Sequence, residues 1–277
     1  MSDTTIIVPC YNEAERLDVE AFLKFAAAEG RVRFLFVDDG SADGTRRVIE
    51  RLCRADRRHF TLHALPENSG KAEAVRQGIL LAIERGAAAV GYWDADLATP
   101  LDEIPRFLDS LRNDPRRRMV LGARIRLLGR SIERRPLRQF LGRAFATVAS
   151  AVLRLPIYDT QCGAKLFLVT DELRQAFAQP FRSNWIFDVE VVARLILLWP
   201  DGRQAAMEGA ICELPLGRWR DVAGSKVRPT DFLRAVGELA DIYWSYVRRG
   251  GAADYRLSSV RQAEPRVVPS DARRRAA

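Results

Sequence analysis

The stretch Gly91-Tyr-Trp-Asp-Ala-Asp-Leu97 decides the fold. The run Ala87-Ala-Ala-Val-Gly-Tyr-Trp93 is short, apolar and bounded by polar residues, the pattern of a buried strand. At its end stand two carboxylates, Asp94 and Asp96. Strand periodicity sends both to one face and Ala95 to the other. Paired carboxylates at the carboxyl end of a parallel strand suit a hard divalent cation, which takes oxygen ligands and shares them with phosphates. Alone, Asp-x-Asp after a strand is also ordinary turn chemistry. Its surroundings must choose.

Upstream, three more strands alternate with helices. Thr5-Ile-Ile-Val-Pro9 is a β-branched run, followed by the loop Cys10-Tyr-Asn-Glu13 and a helical pattern from Ala14 to Gly30. Val32 to Val37 is a second strand, and Asp38-Asp-Gly-Ser41 and Ala42-Asp-Gly-Thr45 turn the chain into a helix over Arg46 to Arg54. Phe60 to Leu65 is a third strand, after which Pro66-Glu-Asn-Ser-Gly-Lys71 opens a helix from Ala72 to Arg85. This is the βαβ signature of a mostly parallel sheet flanked by helices. Polar residues gather at four successive strand ends, where open α/β sheets bind ligands. They include Tyr11, Glu13, Asp38, Asp39, Ser41 and Lys71, then Asp94 and Asp96, and together they favour a cation and phosphate site over turns.

The 277 residues carry 44 Lys+Arg against 36 Asp+Glu, a net charge of +8, and 48% hydrophobic residues. That balance favours anionic partners. The arginines are spread through helices without interleaved aromatic residues or a reader motif, so nucleic acid is not an expected partner. Four cysteines (Cys10, Cys53, Cys162, Cys212) show neither metal-ligand nor disulfide spacing and suggest free thiols in a reducing compartment. The first residues show no signal-peptide pattern, and no apolar run reaches 18 residues. The expected location is cytoplasmic, with any membrane contact peripheral. No Gly-x-Gly-x-x-Gly follows the first strand, which argues against a dinucleotide. His59 and His63 read as structural.

Ile7-Val-Pro-Cys-Tyr-Asn-Glu13, Val37-Asp-Asp-Gly-Ser-Ala-Asp-Gly-Thr45, Asn68-Ser-Gly-Lys71 and Asp94-Ala-Asp96 together resemble the ordered signatures of the family 2 inverting glycosyltransferases. The resemblance implies a GT-A fold and a nucleotide-sugar donor. It places Pro9, Tyr11, Glu13, Asp39 and Ser41 around the donor nucleotide, Lys71 near the donor, and Mg²⁺ or Mn²⁺ on Asp96, with Asp94 at the ribose or in the metal shell. A diphosphate leaving group needs such a cation to offset its developing charge.

Met119 to Arg124 is a fifth strand, followed by a basic, loop-like stretch from Ile125 to Arg135. A helix over Leu137 to Leu155 could pack on the domain, or lie at a membrane interface with Arg138, Arg143 and Arg154 toward head groups. Then come Asp159-Thr-Gln-Cys-Gly-Ala-Lys-Leu-Phe167, Trp185-Ile-Phe-Asp-Val-Glu190 and Gly224-Ser-Lys226. These blocks look like the polyprenyl-phosphate branch, and most like the dolichyl-phosphate β-glucosyltransferases. Ala98 stands where many mannosyl relatives carry a glutamine, which puts a third protein ligand for the metal in doubt.

The expected reaction moves a sugar, glucose from UDP-glucose first, to a polyprenyl phosphate at a membrane surface. The phosphate is already ionised and needs little help from a base. Arg124, Arg130, Gln161, Lys165 and Lys226 are the acceptor-side candidates, with Asp96, Arg124 and Asp188 as the catalytic set. If the acceptor is instead a hydroxyl, Asp188 is the base; Asp188 also reads as a helix N-cap. The catalytic domain is expected over 1–230 (nucleotide-sugar half 1–125, acceptor half 126–230). An amphipathic helix over 231–249 could pack, dimerise or rest on lipid, and 250–277 reads as a basic tail.

Overall fold

A computed structural model describes residues 4–133, 136–222 and 229–248. The chain alternates β1 (Thr4–Cys10), α1 (Val19–Ala28), β2 (Val32–Asp38), α2 (Thr45–Ala55), β3 (Phe60–Ala64), α3 (Lys71–Glu84) and β4 (Ala89–Trp93). It continues with α4 (Ile104–Arg112), β5 (Met119–Ala123), β6 (Ser131–Glu133), α5 (Pro136–Leu153), β7 (Ala164–Leu168), α6 (Asp171–Ala178) and α7 (Phe187–Leu198). The short α8 (Gly202–Ala205), β8 (Ile211–Pro215), β9 (Arg218–Arg220) and α9 (Pro229–Ile242) follow. Seven strands form one sheet in the order β3-β2-β1-β4-β7-β5-β8, and β6 pairs with β9 beside it. Within the large sheet only β7 runs antiparallel to its neighbours.

Period-2 alternation divides the core into two layers. Ile7, Leu35, Val37 and Tyr92 face Val75 and Ile79 of α3 and Val189 and Val192 of α7. Ile6, Val8, Phe34, Phe36 and Trp93 face Phe22 of α1, Ile49 of α2 and Phe107 of α4. Helices therefore cover both faces, as a sheet buried on two sides requires. Phe22 meets Phe34 and Phe36 edge-on at 5.1 and 5.0 Å, contacts worth about 1 kcal/mol each beyond their buried area.

The expected strand and helix alternation is present, with instructive differences. Residues 14–17 turn instead of extending α1, because Ala14 N donates to Asp43 (3.2 Å) and Glu13 N to Thr45 (2.7 Å), tying this segment to the loop after β2. Helix α1 starts at Val19, where Asp18 caps it by accepting from Ala21 N. The basic stretch after β5 holds a strand, β6. The segment after Asp159 also supplies a strand, β7. Gly91 makes room for it, since a Cβ there would stand 2.2 Å from the Lys165 carbonyl oxygen.

Ala235, Leu239, Ile242 and Tyr246 are buried, so the C-terminal helical segment packs on the domain. Val236 and Trp244 face outward. No described helix is long and apolar enough to cross a membrane. Arg134, Arg135, Lys226 and the basic tail lie outside the described residues.

Candidate active site

The carboxyl ends of β1, β2 and β4 and the amino end of α3 surround a cavity of about 660 Å³. Pro9, Tyr11, Glu13, Asp39, Lys71, Asp94, Asp96, Arg124, Gln161 and Asp188 all line it. The order of strands brings these separated loops to one place. Asn12 helps by adopting φ +55°, a left-handed turn that asparagine tolerates. Its amide N–H donates to Ser41 Oγ at 3.0 Å, and its side chain accepts from Ala42 N at 3.0 Å.

The Asp94–Asp96 segment is a turn beyond the end of β4. Leu97 N donates to the Asp94 carbonyl at 3.2 Å, and Leu97 has φ +50°. Both carboxylates reach the cavity by this turn, with Ala95 also at the wall, and not by strand alternation. Trp93 anchors the turn by donating from its indole N–H to Thr99 O at 2.7 Å. Lys71 Nζ lies 2.5 Å from Asp94 Oδ1. Burial works against the Lys71 charge, but Asp94, Asp188 and Asp96 outweigh it and raise its pKa. Burial first, then the adjacent Asp94 charge, raises the pKa of Asp96 from its ordinary value. Asp96 Oδ1 accepts from Ala98 N at 3.0 Å.

Two neighbouring carboxylates lining one cavity fit a hard divalent cation. Among the described residues no cluster of three or more His, Cys, Asp or Glu side chains could hold a metal. The donor set is thus two aspartates, suited to an ion whose remaining ligands are substrate phosphates and water. A second feature supports the fit: Gly163 leaves the space that the Asp94 carboxylate fills. A Cβ at Gly163 would stand 1.8 Å from Asp94 Oδ2.

Asp39 is buried and engaged, accepting from Ser69 N (2.7 Å) and Gly70 N (2.9 Å) at the entrance to α3. Burial raises its pKa, and those two amides oppose the rise. Asp39 therefore fixes the loop before Lys71 while lining the cavity. Ser41 stands outside the wall and holds the β1 loop.

Arg124, which also lines the cavity, makes a bidentate pair with Asp159, Nε to Oδ2 at 2.6 Å and Nη2 to Oδ1 at 2.7 Å. Its guanidinium lies over the Trp219 ring at 5.4 Å. Burial disfavours the Arg124 charge, and Asp159 more than restores it. Arg143 projects inward from α5 and stacks on Tyr158 at 3.7 Å, toward the cavity and not toward solvent. Arg130 does not line the cavity; it lies near Gly217 on the β6–β9 side.

At the floor Lys165 is fully buried, with Nζ donating to Cys162 O at 2.6 Å and to Asp188 Oδ1 at 2.5 Å. Tyr92 OH donates to the same Asp188 oxygen. Asp188 sits in the first turn of α7, whose N-cap is Ile186, so Asp188 is not itself the cap. Sequence reading missed Tyr92, Arg16 and Arg143 as site residues. Only Arg16 left a signal, three residues after Glu13, with which it pairs at 2.5 Å. Both histidines point elsewhere, His59 to Asp56 at 2.6 Å and His63 to Gln77 at 3.3 Å.

The GT-A fold and the family and relatives that the chain matches define a nucleotide-sugar-dependent glycosyltransferase. The chain belongs to the family described as Glycosyl transferase family 2, which matches residues 5–171. It is 31% identical over 253 residues to a dolichyl-phosphate β-glucosyltransferase of Trichomonas vaginalis, covering 86% of this chain and 70% of that protein. The corresponding enzyme of Saccharomyces cerevisiae is 28% identical over 264 residues, covering 88% and 75%. Among solved structures, glucosyl-3-phosphoglycerate synthase from Mycobacterium tuberculosis, in complex with Mn²⁺, UDP and phosphoglyceric acid, superposes with a TM-score of 0.60. The identity is 20%, covering 87% of this chain and 78% of that one. A mannosyltransferase from Pyrobaculum calidifontis, in complex with GDP-Man and Mn²⁺, gives 0.54 at 18% identity, covering 94% and 74%.

Proposed function

We propose that this enzyme transfers glucose from UDP-glucose to a polyprenyl phosphate of the dolichyl type, in a single inverting displacement at a membrane surface. The names of the relatives support the sugar and the acceptor. The observation that carries the reading is the pairing of Asp188. One of its oxygens already holds the buried Lys165 ammonium and the Tyr92 hydroxyl. Protonating Asp188 during catalysis would leave that ammonium buried without its counter-charge, a costly arrangement. A nucleophile that arrives ionised avoids the difficulty, and a phosphate monoester does so at neutral pH.

Lys71, Arg124 and Arg143 supply positive charge along the cavity for two phosphorylated substrates. Asp94 and Asp96 would hold Mg²⁺ or Mn²⁺, which when bound stabilises the leaving diphosphate. Tyr11 and Pro9, at the end of β1, provide the surface for the nucleotide base. Asp39 and Gly70 fix the loop that delivers Lys71. Positioning and electrostatics then carry most of the rate enhancement.

The second reading, a hydroxyl acceptor with Asp188 as base, draws on the exposure of Asp188 to the cavity. Release of UDP from UDP-glucose, measured with a short polyprenyl phosphate or with the matching polyprenol, separates the two. The proposal expects turnover with the phosphate only; equal turnover with the alcohol refutes it.

A further inference from the structure

The two bonds to Asp188 raise a question about its other oxygen. Both Lys165 Nζ and Tyr92 OH reach Oδ1. The residue is 5% exposed and lines the cavity, and Oδ2 is the oxygen that neither of these donors holds. A carboxylate oxygen at a cavity floor needs a hydrogen-bond donor as partner. The diphosphate and the acceptor phosphate are both anionic acceptors and cannot fill that role. A neutral hydroxyl can.

The position also fits. Asp188 lines the same cavity as Lys71, Asp94 and Asp96, the residues assigned to the leaving diphosphate. The group attached to that diphosphate is the transferred sugar. We propose that Asp188 Oδ2 accepts a hydrogen bond from a hydroxyl of the transferred hexose and so selects the sugar, and that Tyr92 and Lys165 are positioning residues for this contact.

This rests on the nucleotide-sugar reading above. It changes the part played by the lysine, which is sealed from the cavity and acts through Asp188. It also gives Tyr92 a use beyond packing. Its ring lies 5.7 Å from Phe187 and 6.2 Å from Phe167, within the core, while its hydroxyl reaches the active-site carboxylate. The pinned geometry suits recognition: two fixed donors leave one oxygen in one orientation, which is what discrimination between hydroxyl epimers requires.

The test is a binding matrix that needs no acceptor. UDP, GDP, UDP-glucose, GDP-mannose and sets of monodeoxy analogues of both sugar nucleotides are titrated calorimetrically with Mn²⁺ into the full chain, wild type and Asp188→Asn. The nucleotide sugar that wild type prefers over its bare nucleotide sets the pair to compare. Loss of a hydrogen bond to a charged group predicts about 10- to 100-fold weaker binding of that sugar nucleotide by the variant. The bare nucleotide should change less than about twofold. One deoxy analogue should bind wild type as weakly as the parent sugar binds the variant, and lose nothing more in the variant. Because Asp188→Asn uncouples a buried ammonium, Tyr92→Phe provides a milder arm. It should raise the donor KM several-fold, by a larger factor than it lowers kcat, and keep both limbs of the pH profile, whereas a base role would chiefly lower kcat and remove a limb of the profile.

Equal weakening of nucleotide and nucleotide sugar, no weakening in either variant, or no wild-type preference for any sugar nucleotide overturns the inference. A sugar preference that depends on Asp188, together with turnover on polyprenol in place of polyprenyl phosphate, would sustain the inference and remove the acceptor proposal instead.

Discussion

Replacing Gly163 by alanine should disable the enzyme without unfolding it. A Cβ at this position would meet Asp94 Oδ2 at 1.8 Å, Cγ at 2.2 Å and Oδ1 at 2.7 Å, against an ordinary contact of 3.4–4 Å. The Gly163 backbone is not left-handed, so alanine adds no backbone strain there. What must yield is the carboxylate, by roughly 1.5 Å, and a misplacement near 1 Å in a reacting constellation can lose about 10²-fold in rate. Lys71, paired with Asp94 at 2.5 Å, would be drawn along. Initial rates measured across a Mn²⁺ series at saturating donor should show kcat down about 100-fold and a metal requirement shifted upward about 10-fold. The thermal midpoint should move by less than about 4 °C, the shift for roughly 1 kcal/mol in a domain of this size. A variant with wild-type rate and wild-type metal dependence would show that Asp94 can turn aside freely, and would refute its assignment as a ligand.

Three other perturbations test the frame around the site. Arg194→Ala removes the partner of Glu190, a pair at 2.6 Å with side chains 1% and 0% exposed. Urea unfolding should show a loss of about 3–5 kcal/mol, and a loss below about 1 kcal/mol would contradict that pairing. Glu238 Oε2 accepts from Ser183 Oγ (2.5 Å), Trp185 N (3.2 Å) and Ile186 N (3.2 Å), capping α7 from a different helix. Glu238→Ala should lower stability by about 1–2 kcal/mol and loosen Trp185, visible in its fluorescence anisotropy, while Glu238→Gln should recover most of both. Burial raises the Cys162 thiol to about 11, with Arg124 opposing, and raises Cys10 as well. Only about one Cys162 in a thousand is then thiolate at pH 8, so iodoacetamide on the native protein should spare both residues while modifying Cys53 and Cys212 first. Early alkylation of Cys162 by mass analysis would contradict its burial.

What the sequence made legible follows from local chemistry. The first four strands were readable because Ile6 to Val8 and Phe34 to Val37 are short apolar runs ended by turn residues, and because polar groups recur at each strand end. Their convergence on one cavity followed from parallel topology alone. The other half depends on long-range pairing. Lys165 in the middle of a strand speaks against a buried strand, and the counter-charge that makes its burial tolerable, Asp188, stands 23 residues on. β7 was therefore invisible, although the sheet needs it between β4 and β5. Tyr92 read as core because its ring is core, and only its hydroxyl reaches the site. Arg143 read as surface because helical periodicity cannot tell a pocket from solvent. Arg130 and Ser41 looked equivalent to their neighbours in sequence, yet one sits on the β6–β9 side and the other braces a loop.

The central claim is that an ionised phosphate attacks a metal-held nucleotide sugar. It is tested most directly by following UDP release from UDP-glucose with Mn²⁺ as a short polyprenyl phosphate is added. Release should need both the metal and the phosphorylated acceptor, with glucose appearing on the lipid in the opposite anomeric configuration to the donor. Release at the same rate with the unphosphorylated polyprenol, or transfer with retained configuration, would contradict it.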